Sequence, residues 1–395
     1  MKSVELFVGA GGLGIGVSNA GFMPQAIIEW DKWCCDTIRE NRNGGVPAVV
    51  KWPEPSECDV RTVDFHPYED RVELVTGGPP CQPFSLGGRH RAYDDERDMW
   101  PEAVRAVREI RPKAFIFENV KGLTRASFAS YLSYIVQQLT YPDITRRNDE
   151  HWEDHLSRLE RHHTGNKRST GLTYRVVCRV LNAADYGIPQ RRERIVFVGF
   201  RRDLGIEWSF PEETHSVDAL LWSQLRSGEY WEYHRVPKRE RQIGSRLQDR
   251  AMKIGAQPEA KAWLTVRDAL RGLPDPELEP KKSLRIHNHR FQSGARAYPG
   301  HTGSPLDEPA KALKAGVHGV PGGENMLVRP NGTVRYFTVR ESARLQTFPD
   351  DFVFHGAWSE TMRQLGNAVP VELGAIIARS VRKHLMFSAR ANRLQ

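Results

Sequence analysis

Three things are scarce in this 395-residue chain, and each scarcity excludes something. Cysteine comes first. The five cysteines are Cys34, Cys35, Cys58, Cys81 and Cys178, an odd number without a C-x-x-C pair. Neither a disulfide framework nor a zinc ribbon is written in that spacing. It reads as free thiols in a reducing cytoplasm, one of them a candidate for reactivity. The second scarcity is the long apolar run. None approaches the roughly 20 residues of a membrane-spanning helix. Met1-Lys2-Ser3 leads straight into a strand-like stretch, so no signal peptide is expected. The third is acid. Against 57 Lys+Arg there are 49 Asp+Glu, a net charge of +8. That balance suits a polyanionic partner. The rest of the composition is that of an ordinary globular chain, long enough for two domains.

What the sequence does contain is a rhythm. Short apolar runs at 4–8, 25–29, 72–76, 114–118, 174–181 and 194–200 have strand length. Helix-like segments at 12–21, 31–42, 100–110 and 126–139 lie between several of them. Alternation of this kind predicts a parallel α/β sheet. Residues 140–170 break it: they are polar, with few core residues, and read as a surface insertion with a solvated helix over 151–163. Its histidines, His151, His155, His162 and His163, lack the acidic or cysteine partners of a metal site. Beyond about residue 205 the apolar runs shorten, and 235–253 hold seven Lys/Arg against two acids. "HNH" at 287–289 has no second ligand cluster around it and reads as polar loop. Helical periodicity returns at 338–347, 359–366 and 371–385.

Two loops carry chemistry. "LFVGAGGLGIG" satisfies G-x-G-x-x-G at Gly9, Gly11 and Gly14, and Glu29 follows about twenty residues later, the spacing of a dinucleotide fingerprint. An NAD-dependent dehydrogenase is therefore one open reading. "TGGPPCQPFS" at 76–85 is the other. Prolines stiffen this βα loop and present the Cys81 thiol at the ligand edge of the sheet, so Cys81 reads as a nucleophile. The apolar strand "FIFENV" ends in Glu118-Asn119. A Glu against apolar surface tends toward a raised pKa and can donate a proton, though a helix-capping role stays open. In "QRRERIVFVGF", Arg192 and Arg194 alternate and so share one face of a strand, with surface charge as the alternative.

In order along the chain, "LFVGAGGLGIG", "EWD" at 29–31, Asp59-Val60, "GGPPCQPFS", "ENV" at 118–120, "QRRER" at 190–194, "RESARLQTFPDDF" at 340–352 and "QLGNAVPV" at 364–371 resemble the motifs of the DNA (cytosine-5) methyltransferases. The resemblance implies an α/β, Rossmann-like S-adenosylmethionine-dependent methyltransferase sheet. A smaller, mostly irregular or β target-recognition domain at 205–335 would interrupt a catalytic domain made of 1–204 and 336–395. It implies that Cys81 adds to cytosine carbon 6, Glu118 protonates or hydrogen-bonds N3, Arg194 holds O2, and Arg192 supports the catalytic loop and the developing charge. For the cofactor it implies Phe7 at the adenine, the backbone of Ala10, Gly11 and Gly12 at the methionine portion, and Glu29 on the ribose. Trp30 would cover the adenine and Asp59-Val60 would meet its edge, with Pro80 between cofactor and base and Asn367 returning beside the first loop. Gly14 is expected to serve helix packing. Gln82, Ser85, Arg89, Arg91, Asn119 and Gln190 are implied contacts to the substrate, and Arg285, His287, His289, Arg290 and Arg296 are candidates in the middle domain. Glu5 stands where the family usually has Asp.

The partner implied is double-stranded DNA, with the target base flipped out of the stack because a thiol cannot reach carbon 6 inside it. The implied setting is a bacterial or archaeal cytoplasm, beside the nucleoid. The chain would be a monomeric modification enzyme, with a cognate restriction endonuclease encoded nearby and neither a metal nor a membrane involved. Besides a dehydrogenase, the rival readings are a catalytically silent DNA-binding relative and an RNA methyltransferase.

Overall fold

The computed structural model describes residues 1–80, 98–165, 171–299, 302–315 and 323–391. A seven-stranded sheet is its centre. It is built from β1 (Lys2–Leu6), β2 (Met23–Glu29), β3 (Ser56–Glu57), β4 (Leu74–Gly77), β5 (Ala114–Val120), β6 (Tyr174–Asn182) and β8 (Glu193–Arg201), in the order β3-β2-β1-β4-β5-β8-β6. The two-residue β7 (Gln190–Arg191) stands apart and pairs with Ala310–Lys311.

The strands from β3 to β5 are parallel, as the alternation predicts. The sheet as a whole is mixed, because β8 runs antiparallel to both β5 and β6. The physical reason is connection length. Only residues 183–192 join β6 to β8, too few to carry the chain back across the sheet for a parallel pairing.

Strand side chains alternate between two faces. Phe115, Phe117, Ile195 and Phe197 pack on α3 (Trp100–Ile110) and α4 (Ala129–Thr140). Ala114, Ile116, Val196 and Val198 pack on the opposite face with α1 (Gly12–Asn19) and the C-terminal helix. The helix α2 (Lys32–Asn43) covers the β2 end, with Ile38 against Ile27.

The insertion is less solvated than its sequence implies. In α5 (Trp152–Thr164), Trp152, His155, Leu156 and Leu159 are buried, and Trp152, Leu156 and Leu159 extend the main core. Three apolar side chains one turn apart make a seam that its many charges conceal. His155 is structural. Its Nε2 lies 2.8 Å from the Ile144 carbonyl and its Nδ1 2.9 Å from the Tyr134 hydroxyl. The carbonyl can only accept, so Nε2 carries the proton and Nδ1 accepts from Tyr134. Burial pushes the His155 pKa down, which keeps the ring neutral. Tyr134→Phe strands that buried nitrogen and should cost about 1–3 kcal/mol, seen as a lower urea midpoint at unchanged slope.

The middle of the chain adds α6 (Val217–Leu225), α7 (Glu229–Tyr233), α8 (Ser245–Met252), α9 (Val266–Leu270) and α10 (Pro280–Ser283), with short strands between them. These helices are four to nine residues long. None is long enough to announce itself by periodicity over a wide window. Then α11 (Val339–Leu345), α12 (Trp358–Asn367) and α13 (Val371–Ala391) return the chain to the sheet. A capping box starts α11, with Thr338 and Glu341 as its partners. Glu341 is also clamped by Arg335 through two bonds of 2.7 Å.

The contact of α1 with α13 sets the geometry of the cavity. A Cβ at Gly12 would lie 2.3 Å from the Val369 carbonyl oxygen, and one at Gly16 would lie 2.4 Å from that of Val371. Glycine at both positions lets the last helix lie backbone-to-backbone on the first. Among the described residues no helix is long and apolar enough to cross a membrane.

Candidate active site

The carboxyl ends of β1, β2, β4 and β5 converge on one cavity of about 970 Å³. That is the edge at which open α/β sheets hold ligands. After β1 the chain reverses through Phe7, Gly9 and Gly11, whose φ values are 51, 57 and 93°. Phe7 adopts the left-handed region without being glycine, a conformation that costs of order 1–3 kcal/mol and clusters at ligand sites.

One end of the cavity is built around Glu29. Its Oε2 accepts from the Gly9 N–H at 2.7 Å, and its Oε1 accepts from Trp30 and Asp31 at 2.9 and 2.8 Å. Burial raises its pKa, and these N–H groups oppose the shift. Trp30 projects beside it, 72% exposed. Asp59 and Val60 form the adjoining wall, and Asp59 is gripped by Arg61. Beneath lies Glu5, buried, accepting from the Ser3 hydroxyl at 2.6 Å and from the Thr76 hydroxyl. Burial raises its pKa as well.

The other end is built around Glu118. It is buried at the end of β5, 2.8 Å from Arg194 Nε. Burial raises its pKa, and the charges of Arg194 and Arg192 pull the other way without reversing the shift. The neighbouring Asn119 spends its amide on the loop: Nδ2 donates to the Pro79 carbonyl at 3.0 Å and Oδ1 accepts from the Val120 N–H at 2.8 Å. This ties the Pro79 carbonyl to the end of β5. Cys81, Gln82, Ser85, Arg89 and Arg91 lie outside the described residues.

The cavity brings together Phe7, Glu29, Trp30, Asp59, Val60, Pro80, Glu118, Asn119, Arg194 and Asn367. It leaves out several residues expected there. Ala10 packs into the apolar cluster with Phe348, Phe352 and Ala368, and Gly12 is pressed on Val369. Gly11 caps α1 under the Trp52 ring. Gly14 serves packing as expected, since a Cβ there would lie 2.9 Å from the Trp52 ring, and with Leu13 it also borders the cavity. The Gly12 face of α1 is covered by the approach to α13.

Arg192 and Gln190 do not line the cavity. β7 and β8 are separated at Arg192, whose carbonyl still accepts from the Ala183 N–H at 2.9 Å. Arg192 is fully buried and donates to the carbonyls of Leu313 and Gly366 at 3.0 and 2.7 Å. Gln190 donates to the Leu345 carbonyl at 3.2 Å and accepts from the Leu313 N–H at 3.1 Å. Both staple the middle of the chain to the sheet rather than face the cavity.

His289 is likewise buried, with both ring nitrogens 2.8 Å from partners, Thr338 Oγ1 and the Pro274 carbonyl. A ring committed in this way has no edge to offer DNA. Arg285, His287, Arg290 and Arg296 are exposed.

The sequence reading missed Arg363. It lines the cavity and bonds Asp31 at 2.8 Å, tying α12 to the end of β2. Its position four residues before Asn367 puts both on one face of a helix, a signal that was readable. Among the described residues no group of three or more His, Cys, Asp or Glu could hold a metal ion.

The model of the family described as C-5 cytosine-specific DNA methylase matches residues 1–141 and 162–383. The chain belongs to that family. It is a DNA (cytosine-5) methyltransferase, and its glycine loop is not that of a dehydrogenase. Type II methyltransferase M.PspPI of Psychrobacter sp. (strain TA137) is 32% identical over 385 residues, spanning 96% of this chain and 78% of its own. Type II methyltransferase M.Eco47II of Escherichia coli is 31% identical over 392 residues, with the same coverage of 96% and 78%. A crystal structure described as a DNA modification methyltransferase encoded within an E. coli prophage superposes with a TM-score of 0.59. It is 20% identical and covers 98% of this chain and 99% of its own, a likeness of fold.

Proposed function

We propose that this methyltransferase takes its methyl group from S-adenosylmethionine. It would place the group on carbon 5 of a cytosine flipped out of a specific duplex DNA sequence, through a covalent bond between Cys81 and carbon 6. The observation that carries this reading is the occupancy of the Gly9 N–H. In a dinucleotide site, such loop N–H groups face a pyrophosphate. Here Gly9 donates to the Glu29 carboxylate. The cations lining the cavity are also taken: Lys32 by Asp36, Arg61 by Asp59, Arg194 by Glu118 and Arg363 by Asp31. An acid-lined pocket without a phosphate cradle fits an adenosine bearing a cationic sulfonium and rejects NAD.

Glu29 would hold the ribose hydroxyls, Trp30 would cover the adenine, and Asp59-Val60 would meet its edge. Bound S-adenosylmethionine would supply the activated methyl group that carbon 5 accepts. Cys81 would add to carbon 6 and break the ring's aromaticity. Glu118, its pKa raised by burial, would meet the charge at N3. Arg194 would hold O2 while steadying the Glu118 carboxyl. Arg285, His287, Arg290 and Arg296 are proposed DNA contacts of a target-recognition unit at 205–335, enclosed by a catalytic unit of 1–204 and 336–395. The Type II relatives support a role as the modification partner of a restriction endonuclease in a bacterial or archaeal cytoplasm.

Titration calorimetry tests the cofactor assignment. Saturable binding of S-adenosylmethionine and none of NAD is expected, and the reverse would end the reading. Glu29→Ala removes a charged acceptor and should weaken cofactor binding by about 10- to 100-fold.

A further inference from the structure

Residues 142–161 fall in the gap between the two stretches that the family's model matches. Their course can be traced from ring contacts. The helix α4 follows β5 through the turns at 121–128, so it starts at the cavity edge of the sheet. Trp152, the first residue of α5, meets Tyr131 and Tyr134 near the start of α4, with ring centroids 5.7 and 5.6 Å apart. At the far ends Tyr141 meets His162 and His163. The two helices are therefore parallel, and the chain between them climbs back to the cavity edge over 142–151.

The climb ends in a braced turn. Arg158 donates to both carboxylate oxygens of Glu150 at 2.8 Å and to the Thr145 carbonyl at 2.7 Å. That contact with Arg158 holds the Glu150 carboxyl down at about 2. With Glu150 neutralised, Arg146 and Arg147 stand exposed, and neither has an acidic partner among the described residues. Asp149 opposes them on the same turn, which stays net positive.

Arg146 shares a recess of about 110 Å³ with Asp98 and Trp152. Asp98 precedes Met99, which lines the main cavity and whose N–H reaches the Pro80 carbonyl at 3.4 Å. The two cations thus sit on the edge at which a target base would enter. Arg125, exposed ahead of α4, stands on that edge as well.

We propose that the 145–150 turn is a DNA-backbone contact that this chain adds to its family's fold, with Arg146 and Arg147 binding phosphates of the duplex that flanks the target cytosine. The proposal rests on the reading of duplex DNA as substrate. Unpaired guanidinium groups on an exposed turn suit phosphate oxygens, which position a duplex without reading its sequence.

The test is fluorescence anisotropy of the full chain on a labelled duplex over a range of salt concentrations. Each phosphate contact contributes about 0.9 to the slope of log affinity against log salt. For the Arg146→Ala/Arg147→Ala double variant the slope should be shallower than for the unaltered chain by about 2 on a long duplex. On a duplex trimmed to the target site the two proteins should bind alike. The Arg146→Lys/Arg147→Lys variant should recover most of the slope, since Lys also neutralises phosphate as a point charge. Equal slopes on the long duplex, or an equal loss on the trimmed one, would overturn the proposal. Methyl transfer by the unaltered chain to the same long duplex separates the two readings: if it fails, the substrate reading is what has fallen.

Discussion

Glu118→Gln should lower methyl transfer by about 10²- to 10⁴-fold, the range expected when a positioned proton donor is lost. The substitution keeps the shape and the hydrogen-bonding edge, so Arg194 retains an oxygen to meet. What it removes is a titrating proton. Burial raises the Glu118 pKa above its ordinary carboxyl value, although Arg194 lies 2.8 Å away. The protonated form therefore persists to higher pH than on an exposed glutamate, and the rate should fall as pH rises through that elevated value. In Glu118→Gln that limb of the profile should flatten.

Stability carries the same sign. Between the unfolded and folded pKa values the native state binds more protons than the unfolded chain, so this site's contribution to stability falls as pH rises. That slope should vanish in the variant. A pH–rate profile alongside urea unfolding at several pH values checks both. An unchanged rate would show that Glu118 does not meet the charge at N3.

Gly16→Val should destabilise the chain by about 3 kcal/mol, the upper end for overpacking, because the atoms in the way are backbone. The added carbon would lie 2.4 Å from the Val371 carbonyl, 2.6 Å from the Ala375 nitrogen and 2.9 Å from the Gly374 carbonyl carbon. No rotamer relieves that; α13 has to move. Leu13 and Gly14 line the cavity from α1, and Asn367, Ala368 and Val369 line it from the approach to α13. Displacing α13 therefore opens the cofactor end, and Gly16→Val should lose S-adenosylmethionine affinity together with stability. Gly244→Ala makes the contrast. Nothing lies within 4 Å of its added carbon, and its φ of −60° suits alanine. It should leave both quantities nearly unchanged. Thermal unfolding with and without cofactor reads the pair.

The two glycines show what the sequence could and could not reveal. Strand ends were legible because their signal is local. An apolar run that stops at a polar pair places Glu118 at the edge, and the spacing from Gly9 to Glu29 survives as a direct hydrogen bond. The parallel part of the sheet and the C-terminal helices were legible for the same reason. The packing partners of Gly12 and Arg192 were not legible because they are remote in the chain. Gly12 is fixed by Val369, and Arg192 by Leu313 and Gly366. Nothing near position 12 or 192 in the chain announces those contacts. His289 failed as a DNA contact for a related reason: its polar neighbours in sequence hide the fact that Thr338 and Pro274 enclose it. In α5 the high charge masked a narrow apolar seam that burial makes plain.

Bisulfite sequencing of DNA from cells expressing the chain tests the central claim most directly. Cytosines at one recurrent duplex sequence should resist conversion on expression of the intact chain, and those same positions should convert when Glu118→Gln is expressed to the same level. Complete conversion everywhere, from cells holding folded protein that binds S-adenosylmethionine, would contradict the account.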